Sequence, residues 1–546
     1  MRNSVADNAE RLKQAKNPWE CLDEIRRFAR NGWDSIPDEW QRTYFRWWGV
    51  YTQGDGQGVI GGKRGEGNAV PFFMVRIRIP NGLLTARQAR IIASLSSRYA
   101  RGTADITVRH NIQLHWIRIE DLPIVLETLW SCGLTTLAAC GDDARNITGC
   151  PMAGFDADEI CDASPLVLHA SRLLAGNPEF YNLPRKFKVC ITGCRVWCSY
   201  PEINDVGLTA VRRGNEIGFS IRIGGGLATT PYFARRLDAF VRWDQVLPVI
   251  RAATEVFRES ASLREHRKRA RLKFLFLNEG WTPERFQEEM EHRLGFRLDP
   301  AVQEDPPATA QRDHVGVQPQ KQKGLCYVGA AVPFGRITPR QLDAAARVAD
   351  QYGNGALRTT TTQNLVIVNV PRTSATLVVR ELEAVGLSTA GSSIARGALA
   401  CTGSEFCKLA VTETKGFARW LVEQLEERIP EFTEPIKLNV TGCPNSCAQH
   451  WIADLGLEGC KIKVGDRIAD AYSFWVGGSV GKEQSFATPV GYRCLAEETP
   501  AAIEGLLRSY LADRRPGESL RVFFRRHGKE ELRSFLTSRC EESVLS

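Results

Sequence analysis

Nowhere does the sequence contain an uninterrupted apolar stretch long enough to cross a bilayer, and Met1 to Lys16 is polar and charged throughout. A membrane-spanning protein and a cleaved secretory leader are therefore not expected, and the chain reads as cytoplasmic. Neither a P-loop nor a G-x-G-x-x-G run after a strand is read in the sequence, so neither ATP nor nicotinamide chemistry is suggested. Electrons for any redox reaction must come from another molecule. Cysteine is not scarce, at 16 in 546 residues. Cytosolic thiols are kept reduced, so these point to metal or cluster ligation rather than to a disulfide scaffold. Length and a hydrophobic content of 43% allow large cores, in roughly two to four domains. The net charge of +8 fits an acidic partner, an anionic substrate or cofactor, or nucleic acid, and does not choose among them.

The chain is written twice. Thr85-Ala86-Arg87-Gln88 returns as Thr338-Pro339-Arg340-Gln341, and Asn111 in VRHNIQL returns as Asn364 in TTQNLVI at the same offset. KVCITGCRVWCSYPEINDVGL from Lys188 lies against KLNVTGCPNSCAQHWIADLGL from Lys437, and Gly224-Gly225 against Gly477-Gly478. Four landmarks in one order indicate a duplicated unit and two halves related by a pseudo-twofold axis. Within each half, FFMVRIRI (Phe72 to Ile79) and ITVRHNIQLHWIRI (Ile106 to Ile119) read as strands, with a Thr-capped helix from Thr85 to Ala100 between them. The fold class is α/β. A charged, helix-like stretch runs from about Glu255 to Gly295, and the Pro- and Gln-rich stretch from Asp299 to Gln322 links the halves.

The second half carries Cys401-Thr-Gly-Ser-Glu-Phe-Cys407 and Cys443-Pro-Asn-Ser-Cys447, a C-x5-C followed by a C-x3-C. Four thiolates can cap the irons of a cubane, and each pair sits where Gly can turn the chain tightly. Buried structural thiols and a structural zinc site are the alternatives, although zinc sites favour closer spacing than the first pair shows. The pattern, with TGCPNSC, resembles the ferredoxin-dependent sulfite and nitrite reductases over nearly the whole chain, from Phe45-Arg46-Trp47-Trp48-Gly49 to Gly477-Gly478. That resemblance implies a three-domain α/β architecture, siroheme and a [4Fe-4S] cluster as cofactors, and a ferredoxin as donor. It also implies cluster ligation by Cys401, Cys407, Cys443 and Cys447, with Cys447 bridging to the siroheme iron. Arg109, Arg145, Lys186 and Lys188 match the family positions that bind the substrate anion, while Arg185 is expected to turn elsewhere. Lys186 and Lys188 flank Phe187 and share a face in extended chain. Tyr51 and Cys140 flank segments that the family packs around the heme, and are candidates for shaping the pocket.

In the first half, Cys194 and Cys198 stand where the repeat places Cys443 and Cys447. Counting back along the repeat puts the partners of Cys401 and Cys407 near Ile147 and Ala153, which are not cysteines, with Cys150 offset by several residues. Cys194 and Cys198 are accordingly read as a relic or structural pair. The expected boundaries are an N-terminal extension (1–45), a first ferredoxin-like half-domain (46–135), a first siroheme-binding repeat (136–300), a linker (301–322), a second ferredoxin-like half-domain (323–390), a second repeat carrying the cluster (391–514) and a C-terminal extension (515–546). The activity expected is six-electron reduction of sulfite by a monomer, because sulfite-reducing relatives carry Lys at the position of Lys188 where nitrite-reducing relatives commonly carry Asn. Nitrite is the alternative substrate. A zinc-containing nucleic-acid-binding protein is the rival from another class, and it leaves the repeat and the Lys-Phe-Lys segment unexplained.

Overall fold

The duplication shows first in the helix caps. Thr85 and Thr338 each accept a hydrogen bond from the backbone N–H three residues on, and Gln88 and Gln341 each reach back to the capping residue's own N–H, closing two capping boxes. The helices Ala86–Tyr99 and Pro339–Tyr352 that follow lie side by side over the central sheets. The computed structural model describes residues 5–59, 67–308 and 312–538.

Two five-stranded sheets sit beneath these helices, and each borrows a strand from the other half. The first runs Val50–Gly54, Ala69–Ile77, Ile112–Ile117, Ala104–Ile106 and Arg336–Ile337 in spatial order; the second runs Gly316–Pro319, Leu325–Ala330, Leu365–Pro371, Ala356–Thr359 and Leu83–Thr85. The exchange of Leu83–Thr85 for Arg336–Ile337 locks the halves together, and one apolar core with residues such as Ile77, Leu114, Val328 and Ile367 serves both sheets. Each repeat then builds a further sheet over its own core. In the first, Val189–Thr192 runs parallel to Val206–Arg213, followed by the antiparallel strands Glu216–Ile223 and Arg235–Arg242. In the second, Ala398–Ala400, Leu438–Thr441 and Leu455–Val464 are parallel, followed by the antiparallel Arg467–Val476 and Thr488–Leu495.

Several expectations change. The segment from Ile106 to Ile119 is not one strand: Thr107 to Asn111 forms a turn between two short strands, because Thr107 Oγ1 accepts the N–H groups of Arg109 and Asn111 and gives the backbone an alternative to the ladder. Arg109 is thus a turn residue. The helical stretch expected from Glu255 is broken into Val246–Glu259, Ser262–Glu265, Lys273–Asn278 and Pro283–Leu294. Gly316–Pro319, placed in the linker, is an edge strand paired with Leu325–Ala330. Leu12, Phe28 and Trp40 belong to the shared central core, and Leu520, Phe523 and Leu536 to the core of the second repeat, so neither terminal stretch stands apart. Contrary to expectation, the spacing Gly56-x-Gly58-x-x-Gly61 does follow a strand, Val50–Gly54, but the next strand, Ala69–Ile77, pairs with it antiparallel, whereas the dinucleotide-binding unit joins parallel strands.

Candidate active site

Three segments deliver the four predicted cations. Arg109 stands in the turn closed by the Thr107 side chain, beside His110, whose left-handed backbone (φ 64°) turns a buried ring between Thr359 O at 2.7 Å and Gly149 O at 3.2 Å. Burial holds that imidazole near pKa 4, so it is a neutral spacer. The Arg109 guanidinium donates to Asn204 Oδ1 and Asn146 O, each at 2.7 Å, and desolvation lowers its pKa to about 10. Arg145 leaves a segment running parallel to the Lys186–Cys190 stretch, bridged at Ala144 with Phe187 and at Thr148 with Cys190. Its guanidinium donates to Gly141 O at 2.7 Å and Ala139 O at 3.3 Å. Gly141 has φ +93°, and a Cβ there would meet the Asp143 carboxylate and the Trp47 ring, so the turn that aims Arg145 requires glycine.

Phe187 is fully buried and stacks on Phe257 at 5.4 Å, which anchors the extended chain so that the half-buried Lys186 and Lys188 flank it together. Burial, then the cations Arg271, Arg185 and Arg145, brings Lys186 down to about 7, whereas the charge of Cys447 acts the other way. Lys188 is pushed well below the usual lysine range by burial, Arg109, Lys186 and Arg271, against a single opposing carboxylate, Asp205. Asp205 holds this edge: it accepts from Lys188 N at 2.9 Å and from Arg271 at 2.8 Å. Arg185 does turn elsewhere, pairing at 3.0 Å with the buried Asp142. So many converging cations need anionic company to be fully charged.

The four second-half cysteines gather at the edge of this basic pocket. Cys401 ends the strand Ala398–Ala400 and Cys443 follows Leu438–Thr441. Gly403 has φ +68°, and a Cβ there would lie 2.5 Å from Thr414 Oγ1, so the loop between Cys401 and Cys407 needs glycine. Gly442 N–H donates to Cys401 Sγ at 3.3 Å and Asn445 Nδ2 to Cys443 Sγ at 3.5 Å, the kind of contact that tunes a cluster's potential. Burial pushes the Cys401, Cys407 and Cys443 thiols up, Cys407 to about 12, and the Cys447 charge comes second in each case. Four thiolates this close are tolerable only with cationic iron among them, so the donor set fits a cluster. Cys447 is the exposed member of the set, and its charge also reaches Lys186.

Residue-level reading of the sequence missed Arg76, whose Nη1 lies 2.9 Å from Cys140 Sγ and whose guanidinium, with that of Arg46, lies over the Tyr51 ring at 5.8 and 5.6 Å. Tyr51, Cys140 and Arg145 act on one another electrostatically, so the two pocket-shaping candidates do meet beside a predicted cation. The signal was Arg76-x-Arg78 inside an otherwise apolar strand: Arg78 is wholly buried and donates to Ala144 O at 2.9 Å. His115 was missed too. It stacks at 3.8 Å on Phe406, next to Cys407, and lies 3.1 Å from Asp105, which pairs with Arg336 and Lys415 of the other half.

Residues 140–298 and 392–544 match the family described as the nitrite and sulphite reductase 4Fe-4S domain, and residues 67–130 and 318–385 match the nitrite/sulfite reductase ferredoxin-like half domain. The chain belongs to the nitrite and sulphite reductase family. Sulfite reductase [ferredoxin] 1 of Mycolicibacterium paratuberculosis is 38% identical over 96% of both chains. The assimilatory ferredoxin-dependent nitrite reductase of Haloferax mediterranei is 35% identical over 94% of this chain and 90% of its own. The solved structure of the NirA protein of Mycobacterium tuberculosis superposes with a TM-score of 0.91 at 35% identity, covering 96% of this chain and 97% of that one. The chain is accordingly a ferredoxin-dependent sulfite or nitrite reductase, and its cofactors are siroheme and a [4Fe-4S] cluster. Among the described residues no helix is long and apolar enough to cross a membrane.

Proposed function

We propose that the physiological reaction is the six-electron reduction of sulfite to sulfide in the cytoplasm, with Arg109, Arg145, Lys186 and Lys188 binding the anion. Cys401, Cys407, Cys443 and Cys447 would hold the cluster in this reading, and Cys447 would be shared with the siroheme. The observation that carries it is the position of Cys447, exposed and electrostatically linked both to its three fellow cysteines and to Lys186. When bound, the siroheme and the cluster would supply the one-electron transfer chemistry that the reaction needs.

The residues of the chain do the rest. Arg109 and Arg145 stay protonated and are fixed by backbone and amide oxygens, so they are preorganised anion clamps. Burial and then the neighbouring cations lower the pKa of Lys186 and Lys188, so both can hold protons against a bound anion and release them as oxygens leave as water. Sulfite carries up to two charges and three oxygens, so the second lysine suits it better than singly charged nitrite. Nitrite reduction to ammonia is the second reading, favoured by relatives bearing that name at similar identity. The test is a steady-state comparison of kcat/KM for both anions with reduced ferredoxin, in the wild type and in Lys188→Asn. One lost charge-assisted hydrogen bond predicts a fall of about tenfold or more for sulfite and a smaller fall for nitrite. Equal losses, or a wild type that strongly prefers nitrite, would overturn the assignment.

A further inference from the structure

The first repeat holds its own thiol cluster, and strand register corrects the count along the sequence. Lys188 to Cys198 aligns with Lys437 to Cys447, which makes Cys190 the counterpart of Asn439. Cys190 bridges Thr148, whereas Asn439 pairs with Leu399. Cys150 and Cys401 each stand two residues beyond those partners, so Cys150 is the structural counterpart of Cys401. The same register aligns Phe155-Asp156 with Phe406-Cys407. Three of the four cluster cysteines therefore survive in the first half, and an aspartate replaces the fourth.

These groups are differently spaced from the set they mirror. The ligand atoms of Cys150, Cys198 and His314 lie within 4.8 Å of one another, as do those of Cys150, Asp156 and Cys194. Cys150 belongs to both triads and links them, while among the described residues Cys194 does not come that close to Cys198 or His314. Among the described residues, no three of Cys401, Cys407, Cys443 and Cys447 come that close. A cubane holds its thiolates apart around four irons, whereas one tetrahedral ion draws them together. The first set has the smaller dimension.

His314 supplies a fourth donor. It is 3% exposed, it sits in a left-handed turn (φ 61°), and neither ring nitrogen has a hydrogen-bond partner among the described residues. A buried imidazole with both nitrogens unsatisfied is costly unless something binds it. Asp156 is already committed, pairing with Arg312 and accepting from Asp158 N. We propose that Cys150, Cys198 and His314 hold one zinc ion and that Cys194, which lies beside Cys150, closes on the ion as the fourth ligand of a Cys3His site. Binding converts three thiols to thiolates, releases three protons and leaves the imidazole neutral. The ion staples the first repeat to the segment that enters the second half, since His314 immediately precedes the edge strand Gly316–Pro319, and Tyr327, Val366 and Val368 of the central sheet pack against the cysteines.

The experiment is metal analysis of purified holoenzyme produced with zinc available and freed of loose ions by chelator and gel filtration. The expected result is about one zinc per chain beside the iron. Cys198→Ser and His314→Ala should each remove the zinc while leaving iron per chain and the heme and cluster absorbance unchanged. Enzyme produced with cobalt in place of zinc should show thiolate-to-cobalt charge-transfer bands, and this wild-type readout stands even if a variant fails to fold. Wild-type enzyme without zinc, zinc retained in both variants, or iron in place of zinc would overturn the proposal. None of these readouts depends on which anion the enzyme reduces.

Discussion

Asp142 is the sharpest test of how the basic pocket is supported. Its carboxylate is fully buried and faces Arg185 at 3.0 Å, Lys13 at 3.5 Å and the guanidinium of Arg267. Burial alone would raise its pKa, but Arg267, Lys13 and Arg185 together hold it far below the usual carboxylate range. At Lys13 burial wins instead and the pKa falls, because fewer opposing charges face it and Arg264 adds to the penalty. In Asp142→Asn the cations lose their shared counter-charge, and removing one partner from a buried ion pair costs about 3–5 kcal/mol. At the low end this lowers Tm by about 6–12 °C for a unit the size of the first repeat. The pH dependence has a definite sign. A depressed native pKa stabilises the fold above the unfolded value of about 3.9, and that stability is lost as pH falls below it. Scanning fluorimetry should therefore show the full gap between wild type and variant at pH 7 and a closing gap below about pH 4. Equal Tm values at pH 7, or a gap that persists in acid, would refute the reasoning.

Further outcomes follow from the cluster, the pocket and the donor. Cys447→Ser should abolish the cluster signal and disturb the heme spectrum together, and a variant keeping both spectra would rule out the shared thiolate. Arg109→Gln should lower kcat/KM for the anion by about tenfold or more, with circular dichroism unchanged, because one charge-assisted contact is lost on a turn held by Thr107. Turnover with reduced ferredoxin should fall as salt rises, given a net charge of +8, while turnover with a small neutral reductant should not; salt-insensitive ferredoxin turnover would count against an acidic partner.

The duplicated architecture was legible because its signals are local: a capping Thr followed by Gln, Thr-Gly-Cys at strand ends, and paired glycines. The four cysteines proposed to hold the cluster stand out in the sequence for the same reason, since each pair lies within one loop. Arg109 was misplaced in a strand, because the apolar alternation from Ile106 to Ile119 does not reveal that Thr107 would cap a turn. The role of Cys150 was not legible. Counting assumes equal loops in both halves, and the register of Thr148 on Cys190 is a contact between segments distant in sequence. Nor could composition show that Asp142 collects cations from three separate segments, or that His115 would stack on the loop of Cys407.

The two halves have lost complementary things. Where the first half carries Arg109 and Lys186, the second carries Thr362 and Pro435; where the second carries Cys407, the first carries Asp156. A cavity of about 780 Å3 remains at the counterpart of the anion pocket, lined by Thr362, Lys437 and Asn439 and touching His314. It has kept the lysine that mirrors Lys188 but lacks the cations that mirror Arg109 and Lys186. In the proposed reading the cofactors take the position that pairs first-half cations with second-half thiolates, because the mirror cavity, although it keeps Arg396 and Lys437, lacks counterparts of Arg109 and Lys186. The holoenzyme should therefore contain about five irons per chain, four in the cubane and one in the heme. About nine irons per chain, or ten with a second heme, would mean that the first-half thiols hold a cluster after all, and would refute both the complementary loss and the zinc site.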